Sequence, residues 1–195
     1  MATNTQANTK KMVQLAALAA IIVVLQMLSY SVKLGPINLT LVLIPVVLGA
    51  VMYGPKEGAL LGCIFGIVTL VATISGVDAG ANVLWNANPF LTAVVCLLKG
   101  GAAGLCAGLV YRALRRVNDF VATLAAAMVC PIVNTGIFCI FMLTAFRSTL
   151  TEWAAGENIL TYMLLVLVGV NFIVEFGVNV LIGPAIRTIV KAARR

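Results

Sequence analysis

Long apolar segments separated by short polar ones make up most of this chain of 195 residues. The pattern predicts six helices, at about 12–32, 39–53, 57–75, 89–114, 120–146 and 159–189. A helix that crosses a membrane needs about 20 largely apolar residues, and only the second segment falls clearly short of that length. We therefore predict an all-α integral membrane bundle of six transmembrane helices.

The composition agrees with this pattern. Hydrophobic residues make up 62% of the chain and charged residues 10%, whereas soluble domains have about 45–50% apolar and about 25% charged residues. The surplus of apolar surface requires lipid as its solvent. The length allows one domain at 12–190, preceded by a disordered cytoplasmic segment at 1–11 and followed by a basic cytoplasmic tail at 191–195.

Three prolines fall inside predicted helices. Pro45 is in the middle of the second helix, where a proline removes a backbone hydrogen bond, so a kink or an irregular segment is expected there. Pro131 lies inside the fifth helix. Gly183 and Pro184 predict a break or bend in the sixth helix.

The basic residues predict that both termini face the cytoplasm. With that orientation the inner side holds Lys10, Lys11, Lys56, Arg112, Arg115, Arg116, Arg187, Lys191, Arg194 and Arg195. The outer side keeps Lys33 and Arg147, as the positive-inside rule requires. The net charge of +7 is thus explained by membrane orientation and does not indicate nucleic-acid binding.

Several function classes are disfavoured by missing residue types. The sequence has no histidine, and its five cysteines lie in apolar runs without a CxxC pair. Neither a metal site, a cofactor nor an enzyme is therefore predicted. No GxxxxGK[ST] motif is present, so the chain is not expected to hydrolyse ATP itself.

Two charges, Lys99 and Glu175, lie well inside apolar segments. A charge exposed to lipid costs at least ~2.5–3.5 kcal/mol, and such residues usually face a cavity or pair with each other. One interpretation is a polar ligand pocket. The other is a buried Lys–Glu bridge that ties the fourth and sixth helices together, and the two are compatible.

Carboxamides accompany these charges. Asn171, Glu175 and Asn179 have the spacing i, i+4 and i+8 and so share one face of a helix, while Asn134 lies midway along the fifth helix. We favour ligand contact for Asn134 and Asn171. Hydrogen bonding between helices is the alternative, and it is equally favoured for Asn179.

The outer connection between the third and fourth helices is a second candidate region. Trp85 and Asn88 combine aromatic surface with an amide, a mixture that suits an organic ligand with a ring, and Asn38 flanks the first outer connection. Anchoring in the lipid headgroups is the alternative for Trp85.

Small residues recur at a spacing of four. Gly58, Gly62 and Gly66 form one stripe and Gly100, Gly104 and Gly108 another, which predicts close packing of two helices inside the bundle. Ala16 and Ala20 form a similar step on the first helix. That alanine face could pack internally or meet another subunit.

Three stretches resemble the substrate-binding S components of energy-coupling factor (ECF) vitamin transporters, namely GPINLTLVLIPVVLG at 35–49, YGPKEGA at 53–59 and GCIFG at 62–66. The Ala16–Ala20 step is similar to their coupling motif. The resemblance implies a high-affinity binding subunit in a prokaryotic cell membrane, with a transmembrane T component and two cytoplasmic ATPases as partners. It also implies docking through Ala16 and Ala20.

The resemblance places the pocket in the outer half of the bundle, where Lys99, Asn134, Asn171 and Glu175 are expected. Pantothenate or a folate-like compound is the favoured substrate, and riboflavin is possible. Two other classes stay open from the residues themselves. One is a self-sufficient small secondary transporter or channel, and the other is a structural membrane assembly protein.

Overall fold

The computed structural model of the chain describes residues 2–30, 33–34, 37–38 and 41–193. Its main helices are α1 (Ala2–Ser29), α2 (Leu43–Tyr53), α3 (Pro55–Ile74), α4 (Ala79–Ala87), α5 (Pro89–Leu114), α6 (Asp119–Thr144), α7 (Arg147–Ala154), α8 (Ile159–Thr161) and α9 (Gly169–Ala193). A π-helical segment, Tyr162–Leu167, follows α8. Two short antiparallel strands, β1 (Lys33–Leu34) and β2 (Ile37–Asn38), pair between α1 and α2.

The predicted all-α membrane fold is confirmed at the level of its helices. Within the described residues, five helical stretches are long and apolar enough to cross a membrane, namely Asn8–Ser29, Pro55–Ile74, Pro89–Leu114, Asp119–Thr144 and Gly169–Val190. The remaining apolar helix, α2, has 11 residues and so is only about 16 Å long. It is too short to cross the ~30 Å hydrocarbon core alone.

Pro45 lies in the first turn of α2, which begins at Leu43. The prediction that this proline interrupts the middle of a helix is therefore wrong. The first four backbone N–H groups of a helix have no partner within it, so a proline there removes no hydrogen bond.

The first helix begins much earlier than the sequence indicated. Residues from Ala2 onward continue into the apolar part of α1 without interruption, whereas the predicted start was residue 12. The polar segment at its beginning therefore extends the helix in the structure, and Lys11 there pairs with Glu57 at the start of α3.

The last predicted helix is interrupted, but not at Gly183–Pro184. Helix α9 continues through Pro184, and the irregularity lies at the π-helical segment, where the Val168 N–H donates to the Met163 carbonyl at 3.0 Å. A β-carbon on Gly169 would overlap the Leu164 carbonyl oxygen. Glycine at this position is what allows the widened turn.

Helices α3 and α5 pack through their glycines, as predicted. A β-carbon on Gly58 would lie 2.5 Å from the Gly104 carbonyl oxygen, and one on Gly108 would lie 2.5 Å from the Pro55 Cα. The two backbones are therefore in direct contact along the antiparallel pair. This interface fixes the positions of the side chains that each helix carries beyond the stripe.

Two apolar clusters fill the bundle. The larger joins α1, α2, α3, α5, α6 and α9 and includes Ile22, Val46 and Ile186. The smaller lies near the short helices α4 and α7, and includes Leu84, Met142 and Leu150. The smaller cluster surrounds the cavity described next.

Candidate ligand-binding cavity

A cavity lies between α3, α4, α5, α6, α7 and α9 at the end of the bundle that carries α4 and α7. The centres of water-sized molecules can occupy about 100 Å³ of it, several times the ~10–15 Å³ that one water needs. Its polar lining consists of Thr69, Asp78, Thr92, Lys99, Asn134, Thr135, Asn171 and Glu175. Its aromatic lining consists of Phe138, Phe141, Phe146, Trp153 and Phe172.

The cavity brings together four of the residues singled out in the sequence. Lys99 comes from α5, Asn134 from α6, and Asn171 and Glu175 from α9. The interruption at the π-helical segment directly precedes the turn of α9 that carries Asn171 and Glu175. Such wide turns are frequent at functional sites.

Lys99 faces aromatic rings rather than a carboxylate. Its ammonium group lies 5.7 Å from the ring centroids of both Phe65 and Phe138, within the range of cation–π attraction. In the part of the chain that the structure describes, ion pairs join Lys11 to Glu57 and Arg187 to Asp119, and none joins Lys99 to Glu175. The cation therefore lines the cavity without a bridging anion.

Glu175 and Asn134 carry buried oxygens that no hydrogen bond satisfies among the described residues. Glu175 is 5% exposed and Asn134 is 7% exposed, and Glu175 Oε1 and Asn134 Oδ1 have no donor. A buried acceptor without a partner costs about 1–3 kcal/mol, and more when it is charged. Both residues line the cavity, so a bound molecule with suitable donors would relieve this cost.

Asn179 differs from its neighbours on the same helical face. It is 1% exposed and is not part of the cavity lining. Its side-chain amide donates to the Glu175 backbone carbonyl at 2.8 Å. This contact within α9 favours a structural role for Asn179.

Two of the other predicted site residues, Asn88 and Trp85, lie outside the cavity lining. Asn88 caps the N-terminus of α5, where its side-chain oxygen accepts from the Leu91 N–H at 3.1 Å. Trp85 is half-buried on α4, next to Leu84, which does line the cavity. The Asn38 side chain lies outside the described part of the chain.

Sequence reasoning missed several lining residues, among them Thr69, Asp78 and Trp153. Thr69 continues the Gly58–Gly62–Gly66 face of α3 by three positions, and this spacing is a signal that could have identified it. Asp78 caps α4, where its side-chain oxygen accepts from the Ala81 N–H at 3.2 Å, and its place in a polar connection gave no signal for the cavity. Trp153 lies in α7, and only the packing of α7 over the cavity brings its ring into the lining.

Nearly the whole chain matches a known protein family. Residues 10–187 match the family described as "ECF transporter, substrate-specific component". A comparison with curated proteins found no match. The family match covers all the membrane-spanning stretches except the ends of α1 and α9, and it includes every residue of the cavity lining.

Proposed function

The chain belongs to the family of ECF transporter substrate-specific components. From this premise we propose that its cavity binds a vitamin or related micronutrient. The anionic compounds pantothenate or a folate-like compound are favoured, and riboflavin, which is neutral, is possible. Membership of this family means that the chain is a substrate-binding membrane subunit rather than an enzyme. It also implies a small-molecule substrate and a transmembrane T component with ATPases as partners.

The position of Lys99 carries the proposal. Its ammonium group lines the cavity and has aromatic rings, not Glu175, beside it. A partly buried cation that forms no salt bridge among the described residues gains most from a ligand that brings a carboxylate or another anionic group. A bridge to Glu175 would have removed this argument.

The rest of the lining supports an organic ligand with an apolar or planar body. Phe138, Phe172 and Trp153 contribute aromatic surface, while Asn134 and Asn171 contribute amides. Mostly apolar walls with a few placed polar groups are typical of small-molecule sites. The aromatic share favours a ring-bearing compound within the proposed group.

We also propose that the chain crosses the cell membrane of a prokaryote six times, with both termini inside. The ion pairs Lys11–Glu57 and Arg187–Asp119 support this topology, because each joins a basic residue of the proposed inner side to the first turn of a helix that begins on that same side. Helix α2 would complete the sixth crossing together with the extended segment before it. The cavity, at the end that carries α4 and α7, would then open toward the outside.

Docking on the T component is proposed to use Ala16 and Ala20. Both are exposed on α1, whereas Leu18 and Ile22 on the opposite face are buried. Exposed small residues let a partner helix approach closely, and these two lie one helical turn apart.

Two measurements test the proposal together. Mass spectrometry of the purified chain should identify a co-purifying vitamin or related micronutrient, and vesicles should import it only when the T component and the ATPases are reconstituted with the chain. Import by the chain alone would favour a secondary transporter or channel. A structural assembly protein would bind no small molecule and would lose its fold in Lys99→Met.

A further inference from the structure

A second pocket lies at the opposite end of the bundle from the ligand cavity, where α2 ends, α3 begins and α5 ends. The centres of water-sized molecules can occupy about 200 Å³ of it, many times the ~10–15 Å³ that one water needs. Its cationic lining consists of Arg112 and Arg115, three positions apart at the C-terminal end of α5. The proposed orientation puts this pocket at the level of the inner lipid headgroups.

The base of this pocket is set by backbone packing. A β-carbon on Gly108 would lie 2.5 Å from the Pro55 Cα, so the end of α5 and the start of α3 are in backbone contact. Gly54, which joins α2 to α3, has a φ of 117°, a conformation that glycine adopts without steric cost. Both glycines line the pocket. The turn between α2 and α3 and the α3–α5 contact therefore fix its position.

The two arginines of the pocket form no ion pair with a carboxylate in the described part of the chain. Of the six acidic residues in the sequence, only Glu57 and Asp119 lie at this end of the bundle. Glu57 pairs with Lys11, and Asp119 pairs with Arg187 at 3.3 Å. The start of α3 adds the positive end of a helix dipole to the pocket. The pocket therefore carries a surplus of positive charge that an external anion can balance.

A lipid-facing apolar stripe leads along α5 to this charge. Leu105 and Leu109, which are 39% and 50% exposed, precede Arg112 by seven and three positions and so share its face of the helix. Exposed leucines on a membrane-spanning helix suit acyl chains, whereas the planar guanidinium of arginine binds two phosphate oxygens at once. A soluble phosphate would use the arginines but would gain nothing from the stripe.

We propose that this pocket binds the phosphate of an anionic phospholipid from the inner leaflet, with an acyl chain along Leu105 and Leu109. Basic pockets between helices on the cytoplasmic side are suited to anionic headgroups. A zwitterionic headgroup would bring its own cation to a pocket that already has two. The site therefore prefers a phospholipid with a net negative charge.

The test mixes the full-length purified chain with equal amounts of phosphatidylglycerol and phosphatidylcholine that have identical acyl chains, and native mass spectrometry measures which lipid stays bound. One phosphatidylglycerol should be retained in preference. The preference should fall ~5-fold in Arg112→Gln or Arg115→Gln and ~30-fold in the double variant, the scale expected for basic residues at an anionic membrane surface. The single variants decide the test if the double variant does not fold.

Arg116→Gln is the matched control, because Arg116 is exposed in the turn after α5 and lies outside the pocket lining. It should keep the full preference. An equal loss in Arg116→Gln would show general attraction between charges, and equal retention of the two lipids by the parent chain would show that no headgroup site exists. Either result would overturn the proposal.

Two further outcomes would assign the pocket to another ligand and so also refute lipid binding. The first is displacement of the retained phosphatidylglycerol by millimolar inorganic phosphate, which would indicate a site for a soluble phosphate. The second is unchanged lipid retention in the double variant together with loss of T-component pull-down, which would indicate a protein contact. Lipid retention that resists inorganic phosphate and depends on both arginines supports the proposal.

Discussion

Gly62 of α3 lies directly against the backbone of Gly100 of α5. A β-carbon on Gly62 would lie closer to the Gly100 carbonyl oxygen than the 3.0 Å that real β-carbons keep, and the reverse holds for a β-carbon on Gly100. Both clashes are with helix backbone, which cannot rotate away as a side chain can. The two helices that carry Lys99 and Thr69 are therefore held at a distance that only glycine permits.

Substituting Gly62→Ala should destabilise the protein by about 1–3 kcal/mol or more, because the added methyl group forces α3 and α5 apart. The midpoint of thermal unfolding in detergent measures the effect. Gly136→Ala is the matched control, since beyond its own helical backbone and chain neighbours no atom of the described residues lies within 4 Å of the position of its β-carbon, and alanine favours the helix by about 1 kcal/mol. Equal losses of stability in both variants would show that the α3–α5 contact does not determine the stability of the protein.

Lys99→Met should weaken binding of an anionic substrate by ~10–100-fold, because a charged hydrogen bond contributes about 1.5–3 kcal/mol. Equilibrium binding to the purified variant measures the change, and its unfolding midpoint should stay near that of the parent since methionine fills a similar volume. Lys56→Met, on the exposed surface of α3, is the control and should bind normally. Loss of folding without a specific loss of binding would point to a structural role for Lys99.

Ala16→Trp or Ala20→Trp should leave substrate binding unchanged and abolish ATP-driven uptake, because a bulky side chain on the exposed face of α1 prevents close helix contact. Uptake into vesicles that contain all subunits, and pull-down of the T component, measure the two consequences. Ile140→Trp, at a 60% exposed position of α6, controls for adding a tryptophan to the lipid-facing surface. Normal uptake in both alanine variants would contradict docking through this face.

The orientation predicts which loop positions an impermeant maleimide reaches from outside intact cells. Glu157→Cys, between α7 and α8, should be labelled, whereas Val117→Cys, which is 87% exposed between α5 and α6, should be labelled only after the membrane is opened. The parent chain is the control, because its five cysteines lie within membrane-spanning helices. The opposite pattern would invert the topology.

Much of the site could be predicted from the sequence, because charged and amide side chains stand out in segments that are otherwise apolar. Lys99, Asn134, Asn171 and Glu175 are conspicuous in apolar segments, and lipid makes their burial costly unless they face a cavity or a partner. The stripe of Gly58, Gly62 and Gly66 likewise identified an internal helix contact. Both signals depend only on local spacing and the membrane solvent.

Other features depended on contacts between distant segments. Whether Lys99 pairs with Glu175 is decided by the relative rotation of α5 and α9, which local spacing does not fix. Asn88 proved to be a helix cap, and Pro45 a first-turn residue, because the starts of α5 and α2 are set by the chain that precedes them. The widened turn at Tyr162–Leu167 cannot be recognised in the pattern of apolar residues.

The sequence by itself determined that this is a membrane-embedded helical bundle with charges inside it, since the cost of exposing polar groups to lipid acts on each segment separately. It also carried the stretches that mark the family. Only the tertiary structure decided that Lys99 faces Phe65 and Phe138 while Glu175 keeps an unsatisfied oxygen in the same cavity. That arrangement involves side chains from several helices, so it forms only when those helices pack together.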